Sequence, residues 1–316
     1  MIFATLAITF GIALIWFGAE KLEKYSVLTA QQFGFSPFFI GSTVIAFGTS
    51  APEMLTTLFV SLENKGPMVI GNVIGSNVAN LSLVFGSMLL IVSSKQLKIS
   101  QDAGIKKNLI ILIFSSLLVW AVIAIDPFKI TSSILLLCTL FLVILFWHKN
   151  GVSEGEELEG HTKSKNVALK LFISLASIVF AAYLITFGAN QILDRFNLGQ
   201  LFIGYTVLAI GTSLPEIAAS ISLALKGRYE TVSGTLIGSN IFNGLFVLAI
   251  PGLFMRDEMS EGWSYFEWSP LLFILFIITF VFASYIFSST KKERNASFIL
   301  SLLFLSSYFV SLYYAY

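Results

Sequence analysis

The sequence predicts an all-α integral membrane protein of ten transmembrane helices, arranged as two inverted five-helix repeats with broken helices near mid-depth. Three observations carry that prediction. The 316 residues are 56% hydrophobic and only 12% charged, against roughly 25% charged in a soluble domain. The apolar residues fall in blocks close to the ~20 residues that a helix needs to cross a ~30 Å hydrocarbon core. And a 46-residue stretch occurs twice, at a separation of 163 residues.

The apolar runs lie at 2–19, 37–62, 68–92, 108–125, 130–147, 168–188, 200–225, 231–254, 267–288 and 295–315. The first, "MIFATLAITFGIALIWFGAEKLEK", lacks a basic leader and ends in charges rather than in a small-residue cleavage site. It is expected to be a retained span and not a signal peptide. The second and third runs carry the first copy of the repeat, and the seventh and eighth carry the second. Between the halves lies the longest polar loop, "HKNGVSEGEELEGHTKSKN" at 148–166. It divides the chain into a half at 1–150, a linker at 151–166 and a half at 167–316. The linker acids Glu154, Glu156, Glu157 and Glu159 fit a solvated connection better than a weak regulatory cation site.

The count of spans is tested by lysine and arginine, which concentrate on the cytoplasmic side of a membrane. Threading ten spans places fifteen of the nineteen basic residues on one side: Lys21, Lys24, Lys95, Lys98, Lys106, Lys107, Lys149, Lys163, Lys165, Lys170, Lys226, Arg228, Lys291, Lys292 and Arg294. Only Lys65, Lys129, Arg195 and Arg256 fall on the other. A multi-pass cell-membrane protein is expected, with both termini extracytoplasmic and the long loop cytoplasmic.

Several classes are excluded. A net charge of +1 says little about partners, and no nucleic-acid partner is expected; the one cysteine, Cys138, lies in an apolar run and forms no intrachain disulfide. His148 and His161 lie in the polar loop, so no histidine cluster is available for zinc or a catalytic triad. An intramembrane enzyme would want a nucleophile, a metal-binding histidine or a phosphate-binding basic cluster beside its acids, and none is present. No enzyme activity, cofactor or obligate protein partner is expected, and the 31 phenylalanines serve lipid contact and packing.

Residues 41–86, "GSTVIAFGTSAPEMLTTLFVSLENKGPMVIGNVIGSNVANLSLVFG", align without a gap to 204–249, "GYTVLAIGTSLPEIAASISLALKGRYETVSGTLIGSNIFNGLFVLA", with eighteen identities. The information lies in the shared polar residues, G-T-S-x-P-E and I-G-S-N-x-x-N. With five spans per half, the second copy enters the membrane from the opposite side. Secondary transporters use this design and place their sites near the midplane, where interrupted helices of the two repeats meet. Gly71-x-x-x-Gly75 and Gly234-x-x-x-Gly238 equally suit close helix packing.

Pro52 brings no N–H and pushes Ala51 away from helical angles, and Gly48 relaxes the turn before it. A break is expected near Thr49 to Ala51, and by the same reasoning near Thr212 to Leu214, ahead of Pro215. Backbone carbonyls freed at that depth must be satisfied by protein, water or an ion.

Of eighteen acidic residues, sixteen fall in loops or at span ends; Glu53 and Glu216, equivalent in the two repeats, lie deep in spans. A charge at a helix centre costs ~2.5–3.5 kcal/mol even on an insertion scale. If the two converge, they repel by about 4 kcal/mol at 4 Å with an effective dielectric of 20. A cation between them removes that cost. Around them stand only oxygen donors: hydroxyls of Thr49, Ser50, Thr212, Ser213, Ser76 and Ser239, amides of Asn80 and Asn243, and the freed carbonyls. All-oxygen coordination with two carboxylates suits Ca²⁺ and Na⁺.

At these residues the sequence resembles the sodium/calcium exchanger family of the cation/calcium antiporter superfamily, in its prokaryotic form without regulatory calcium-binding domains. The resemblance rests on the paired G-T-S-[AL]-P-E and G-S-N-x-x-N motifs, the five-plus-five topology and the total length, and so covers the whole chain. It implies that Glu53 and Glu216 are the central carboxylates that bind Ca²⁺ and share Na⁺, and that Thr49 and Thr212 supply carbonyl ligands to Ca²⁺. It implies that Ser50, Ser213, Ser76, Ser239 and the carbonyls of Ala46 and Ala209 flank these as Na⁺ ligands, with Asn80 and Asn243 as the central polar pair. Potassium-dependent relatives carry aspartate where this chain has Asn243, which argues against potassium co-transport. The G-N-A-x-E motif of proton-coupled exchangers is absent.

The expected function is secondary active antiport of Na⁺ for Ca²⁺ by alternating access, in which occupancy neutralises the glutamates and permits a gating bundle to move. Spans one and six, free of charge in their central stretches, are the expected moving part. Proton-coupled antiport of Ca²⁺ or another divalent cation is the alternative, since carboxylates also take up protons. A passive cation channel is a third possibility.

Overall fold

A computed structural model of the chain describes residues 2–31, 40–95, 103–150, 167–196, 198–225, 227, 229–254, 269–287 and 294–316. Among them regular structure is helical throughout. The principal helices are α1 (Ile2–Gln31), α2 (Ala51–Leu62), α3 (Gly66–Ala79), α4 (Phe85–Lys95), α5 (Ala103–Ile125), α6 (Ile130–Asn150), α7 (Val167–Phe196), α8 (Ala209–Leu225), α9 (Tyr229–Leu245), α10 (Ile250–Phe254), α11 (Ser269–Phe287) and α12 (Arg294–Ala315). The described part of every apolar run is helical except at Ser50 and Phe246.

Among the described residues six helical stretches are long and apolar enough to cross a membrane: Gly66–Ile91, Ile105–Ile125, Ile130–Lys149, Thr231–Phe254, Ser269–Phe287 and Ser297–Ala315. A seventh is added if Gln200–Leu214 and Ala219–Leu225, bent by 44°, count as one span. The linker 151–166 with its four acids lies outside the described residues, as do Lys98, Lys163, Lys165, Lys226, Arg228, Arg256, Lys291 and Lys292 of the charge map.

Helices α1 and α7 are each 30 residues, about 45 Å at 1.5 Å per residue, and so outrun the apolar blocks that nucleate them. The sequence after the first block explains the extension. Glu20, Lys21, Glu23 and Lys24 are helix formers, Glu20 and Lys24 stand at i,i+4, and no glycine or proline intervenes before Gly34. The two helices run antiparallel along each other. A Cβ added to Gly11 would stand 3.0 Å from the Ala181 carbonyl oxygen, and one added to Gly188 would stand 2.8 Å from that of Ala4. Glycine at these positions lets the two backbones touch.

The helices of the G-S-N motifs occupy the centre. The best apolar window of Gly66–Ile91 is 78% buried and that of Thr231–Phe254 is 89% buried, against 33% for Ile130–Lys149 and 28% for Ser297–Ala315. Helix α3 runs through a π-helical stretch, Asn80–Val84, into α4. Helix α9 continues through a 3₁₀ turn, Val247–Ala249, into α10. Helices α5, α6, α11 and α12 stand outside this pair and expose Phe114, Phe141, Leu142, Phe273 and Phe309, an apolar exterior of the kind a hydrocarbon solvent demands.

Each repeat clasps the centre of the other. Ahead of the G-T-S-x-P-E motifs the chain adopts π-helical geometry, at Ile40–Ile45 and at Gly204–Leu208, and each of these stretches crosses the other repeat's central helix. A Cβ at Gly75 would stand 2.7 Å from Ala209 Cβ and 2.8 Å from the Tyr205 carbonyl oxygen. One at Gly238 would meet the Ser42 carbonyl and stand 2.7 Å from Ala46 Cβ. Gly75 with Gly238, Ala209 with Ala46 and Tyr205 with Ser42 are all pairs separated by 163, so each contact is the image of the other. Gly71 is equally confined, its missing Cβ facing the Leu201 carbonyl and the Tyr205 nitrogen.

The turns that follow the motif helices also correspond. Asn64, at φ 56°, and Gly227, at φ 74°, occupy equivalent positions, and these are residues that tolerate the left-handed region. Asn64 N–H donates to Ser61 O at 2.9 Å and Gly227 N–H to Ala224 O at 3.0 Å. In the first turn Lys65 N–H also reaches Val60 O at 3.2 Å, the longer bond of a Schellman closure. That turn is tied to α7: Lys65 Nζ donates to Asn190 Oδ1 at 2.7 Å, Asn190 Nδ2 donates to Glu63 Oε2 at 2.6 Å, and Lys65 pairs with Glu63 at 3.0 Å.

Candidate cation site

In the first repeat the helical run stops at Thr49 and restarts at Ala51. Pro52 falls in the first turn of α2, where its lack of an N–H costs nothing, because the first N–H groups of a helix have no intrahelical acceptor. Glu53 follows in the same turn, at the end of a helix that favours negative charge. The interruption is slight: Ser50 N–H still reaches Ala46 O at 3.0 Å, and Met54 N–H reaches Ser50 O at 3.1 Å. What changes is the supply of donors to Gly48 and Thr49. The residues four places on are Pro52, which has no N–H, and Glu53, whose N–H lies against its own carboxylate. The Glu216 N–H lies against its own carboxylate in the same way.

Both glutamates are sealed from solvent, at 1% and 0% relative exposure. Each is held by the other repeat. Ser213 Oγ donates to Glu53 Oε1 at 3.2 Å, and Ser50 Oγ donates to Glu216 Oε1 at 3.4 Å. These two bonds exchange under the 163-residue correspondence. Thr212 also faces the Glu53 carboxylate and Thr49 faces that of Glu216, and the charge of one glutamate acts on the other. The carboxylates therefore converge, as their equivalent positions require.

The surrounding oxygens are brought to the same place with different degrees of commitment. The Thr49 hydroxyl lies 3.5 Å from the Ser239 hydroxyl, and it donates back to Ile45 O at 3.0 Å, as Thr212 does to Leu208 O at 3.0 Å. The Ala46 carbonyl accepts from the Ser50 N–H at 3.0 Å and from the Thr49 hydroxyl at 3.4 Å, and that of Ala209 accepts from Thr212 Oγ1 at 3.5 Å. In contrast, Glu53 Oε2, Glu216 Oε2, Ser76 Oγ and both amide heteroatoms of Asn80 and of Asn243 are buried without any hydrogen-bond partner. A buried polar atom left unpaired costs about 1–3 kcal/mol, and more when charged. The oxygens among them, one from each carboxylate included, are ligands of the kind that a hard cation satisfies; the amide nitrogens are donors and need an acceptor instead.

Among the described residues no three histidine, cysteine, aspartate or glutamate side chains gather as a metal cluster. The donors are two carboxylates and neutral oxygens, a set for Ca²⁺ or Na⁺ and not for thiophilic or imidazole-seeking metals. One contact escaped sequence reasoning although its signal was present. Asn77 Nδ2 donates to the Asn240 carbonyl at 3.5 Å, joining α3 to α9 at equivalent positions. Asn77 and Asn240 are identical polar residues inside the G-S-N motifs, the same signal that singles out Asn80 and Asn243.

Comparisons with known proteins agree with this chemistry. The family model described as sodium/calcium exchanger protein matches residues 3–148 and 167–316. An uncharacterised membrane protein of Methanocaldococcus jannaschii is 33% identical over 278 residues, 87% of this chain and 88% of that protein. The sodium/calcium exchanger MaX1 of Methanosarcina acetivorans is 26% identical over 356 residues, covering 98% of both chains. The structure of the sodium-calcium exchanger NCX_Mj soaked with 10 mM Na⁺ and 10 mM Sr²⁺ superposes with a TM-score of 0.72 at 29% identity, covering 99% of this chain and 98% of that one. With both halves matched and the fold shared along nearly its whole length, the chain belongs to the sodium/calcium exchanger protein family: it is a multi-pass membrane transporter that exchanges cations, not an enzyme.

Proposed function

We propose that this chain exchanges Na⁺ for Ca²⁺ across the cell membrane by alternating access, through ten helices in two inverted five-helix halves at 1–150 and 167–316. The observation that carries the reading is the reciprocal hold of Ser50 on Glu216 and Ser213 on Glu53, which leaves the second oxygen of each carboxylate without a partner. Glu53 and Glu216 bind Ca²⁺ with the carbonyls of Thr49 and Thr212, whose helical donors are the two glutamate N–H groups. Ser50, Ser213, Ser76, Ser239 and the carbonyls of Ala46 and Ala209 complete flanking Na⁺ positions, with Asn80 and Asn243 between them. The cations are substrates; the oxygens that Ca²⁺ leaves are the ones that Na⁺ takes.

Two negative charges in a dry centre cannot pass lipid unneutralised, because a charge at mid-membrane costs several kcal/mol. Loading by either substrate removes that barrier, so the carrier reorients loaded and not empty. The moving part is the α1–α7 pair, which is packed mainly on itself and borders the motif helices α2 and α8. Both termini lie outside and the loop 148–166 lies in the cytoplasm.

The test is Ca²⁺ uptake into vesicles while Na⁺, K⁺ and pH gradients are varied one at a time. An outward Na⁺ gradient is expected to drive uptake, with K⁺ without effect. Uptake driven by a pH gradient in Na⁺-free buffer would instead establish proton coupling, and uptake that follows the Ca²⁺ gradient alone would establish a channel.

A further inference from the structure

The first repeat buries a second group of oxygens that the site above does not use. Helices α2 and α3 run antiparallel, and Asn72 Nδ2 donates to Thr57 Oγ1 at 3.0 Å. That bond fixes their register. One turn back along α2 is Glu53 and one turn on along α3 is Ser76, so these two stand level with each other, and Thr57 and Asn72 stand one turn, about 5.4 Å, nearer the turn at Glu63–Lys65. Ser61 lies one turn further still. Thr57, Ser61 and Asn72 are all fully buried.

A tie between two helices accounts for the Asn72 amide nitrogen and for Thr57. It does not account for Asn72 Oδ1 or Ser61 Oγ, which are buried without a hydrogen-bond partner, a cost of about 1–3 kcal/mol each unless something binds them. The second repeat supplies the control. At the equivalent positions stand Ser220, Ala224 and Thr235: the Ser220 hydroxyl is also buried without a partner, but there is no amide and no hydroxyl at the outer level, and the Thr235 hydroxyl donates to Thr231 O at 2.9 Å. An amide oxygen and an outer hydroxyl, Asn72 Oδ1 and Ser61 Oγ, extend the buried oxygens beyond the central site in the first half only.

We propose that Thr57 and Asn72, together with the free Oε2 of Glu53, form a one-sided waiting site for Na⁺ between the central site and the face that carries Glu63 and Lys65, with Ser61 one turn further out on the approach to it. This rests on Glu53 being a cation ligand. A single shared carboxylate oxygen among neutral donors suits a monovalent cation; Ca²⁺ sites draw their affinity from the number of charged ligands. The cation arriving from that face exchanges part of its water for Asn72 Oδ1 and the two hydroxyls before it meets Glu53. On the opposite side the equivalent level offers the Ser220 hydroxyl but neither an amide oxygen nor an outer hydroxyl.

The test measures the Na⁺ half-saturation of Ca²⁺ exchange in vesicles of both orientations, with sidedness read from labelling of Glu63→Cys in a Cys138→Ser background. Thr57→Val and Asn72→Leu are expected to raise the half-saturation at least fivefold when Na⁺ is applied at the Glu63 face, and less than twofold from the other. Asn72→Asp, which adds charge to the same place, is expected to lower it on the Glu63 face alone. That gain is something a merely structural tie would not produce. Equal shifts on both faces, or no shift in variants that keep the parent melting temperature, would overturn the waiting site. If Glu53→Gln abolishes exchange while Asn72→Leu is silent, the waiting site alone fails; if Glu53→Gln is itself silent, the central site fails with it.

Discussion

In the first repeat the helix is interrupted at Ser50 and restarts with Pro52 and Glu53 in its first turn. In the second, the same motif lies inside an unbroken helical segment, Ala209–Leu225, and the direction change is a 44° bend. Yet the carboxylates end in equivalent surroundings, each sealed, each bonded to a serine of the other repeat. The two halves therefore reach one geometry by different local routes. Where they differ in sequence is in side chains that do not make the crossing contacts: Ser42 against Tyr205, which meet the other repeat's glycines through their backbones, Ser61 against Ala224, and Asn72 against Thr235. Convergence is demanded only of atoms that meet across the centre, and divergence is free elsewhere.

The strongest way to break this equivalence is to remove one charge at a time. Glu53→Gln and Glu216→Gln each leave the other carboxylate buried without its counterpart's share of the cation. Removing one partner from a buried charged group costs about 3–5 kcal/mol, so each is expected to lower Na⁺-driven Ca²⁺ uptake at least about 100-fold, and by the same factor. A large inequality between the two, measured as initial uptake rate per folded transporter, would show that the repeats share geometry and not function.

The crossing glycines come next. Gly75→Ala and Gly238→Ala each drive a methyl group into backbone and into the Cβ of Ala209 or Ala46. Overpacking of this kind costs about 1–3 kcal/mol, a fall of roughly 5 °C in melting temperature at the usual conversion for larger domains. The two falls are expected to match within about 2 °C, because the contacts are images of each other. Differential scanning fluorimetry in detergent checks both.

How much of this was legible beforehand follows from what repeats. The ten apolar runs, the pairing of Glu53 with Glu216 and the oxygen-only donor set all stand in the sequence, because bilayer thickness and the cost of buried charge act on composition directly. The extension of α1 through Glu20 to Gln31 was not, since hydropathy marks where the membrane ends and not where a helix stops. The clasp of Ser42 and Tyr205 across the opposite central helix was hidden for a different reason. It is made by backbone atoms over glycines, and a glycine shared by two copies reads equally as packing or as flexibility until its neighbour is known. The cross-bonds of Ser50 and Ser213 lay between these cases: the residues were marked as oxygen donors, but that each serves the other repeat's glutamate is a property of the inverted assembly.

Smaller effects sharpen the comparison. Ser50→Ala and Ser213→Ala each remove one hydrogen bond to a carboxylate, worth about 1.5–3 kcal/mol, and are expected to weaken Ca²⁺ binding about tenfold. If the repeats are coupled through these bonds, the double variant loses less than the sum of the two, since residues that share one network fail to add. Isothermal titration with Ca²⁺ measures all three.

The smallest effect tests a place where the halves are free to differ. Tyr205, fully buried, donates its hydroxyl to Ser311 Oγ at 2.6 Å and stacks on Tyr308 at 5.9 Å between ring centroids, while the Tyr308 hydroxyl donates to the Tyr205 carbonyl at 3.2 Å. This anchors the second π-helical stretch to α12, an attachment that Ser42, with no ring, does not duplicate. Tyr205→Phe keeps the ring and removes one hydrogen bond, about 1 kcal/mol, so the melting temperature is expected to fall by roughly 3 °C with Ca²⁺ affinity unchanged. A loss of affinity instead would mean that the anchor sets the position of Ala209 and Thr212, four and seven residues further along the same helical run, and that the asymmetry between the repeats reaches the ions.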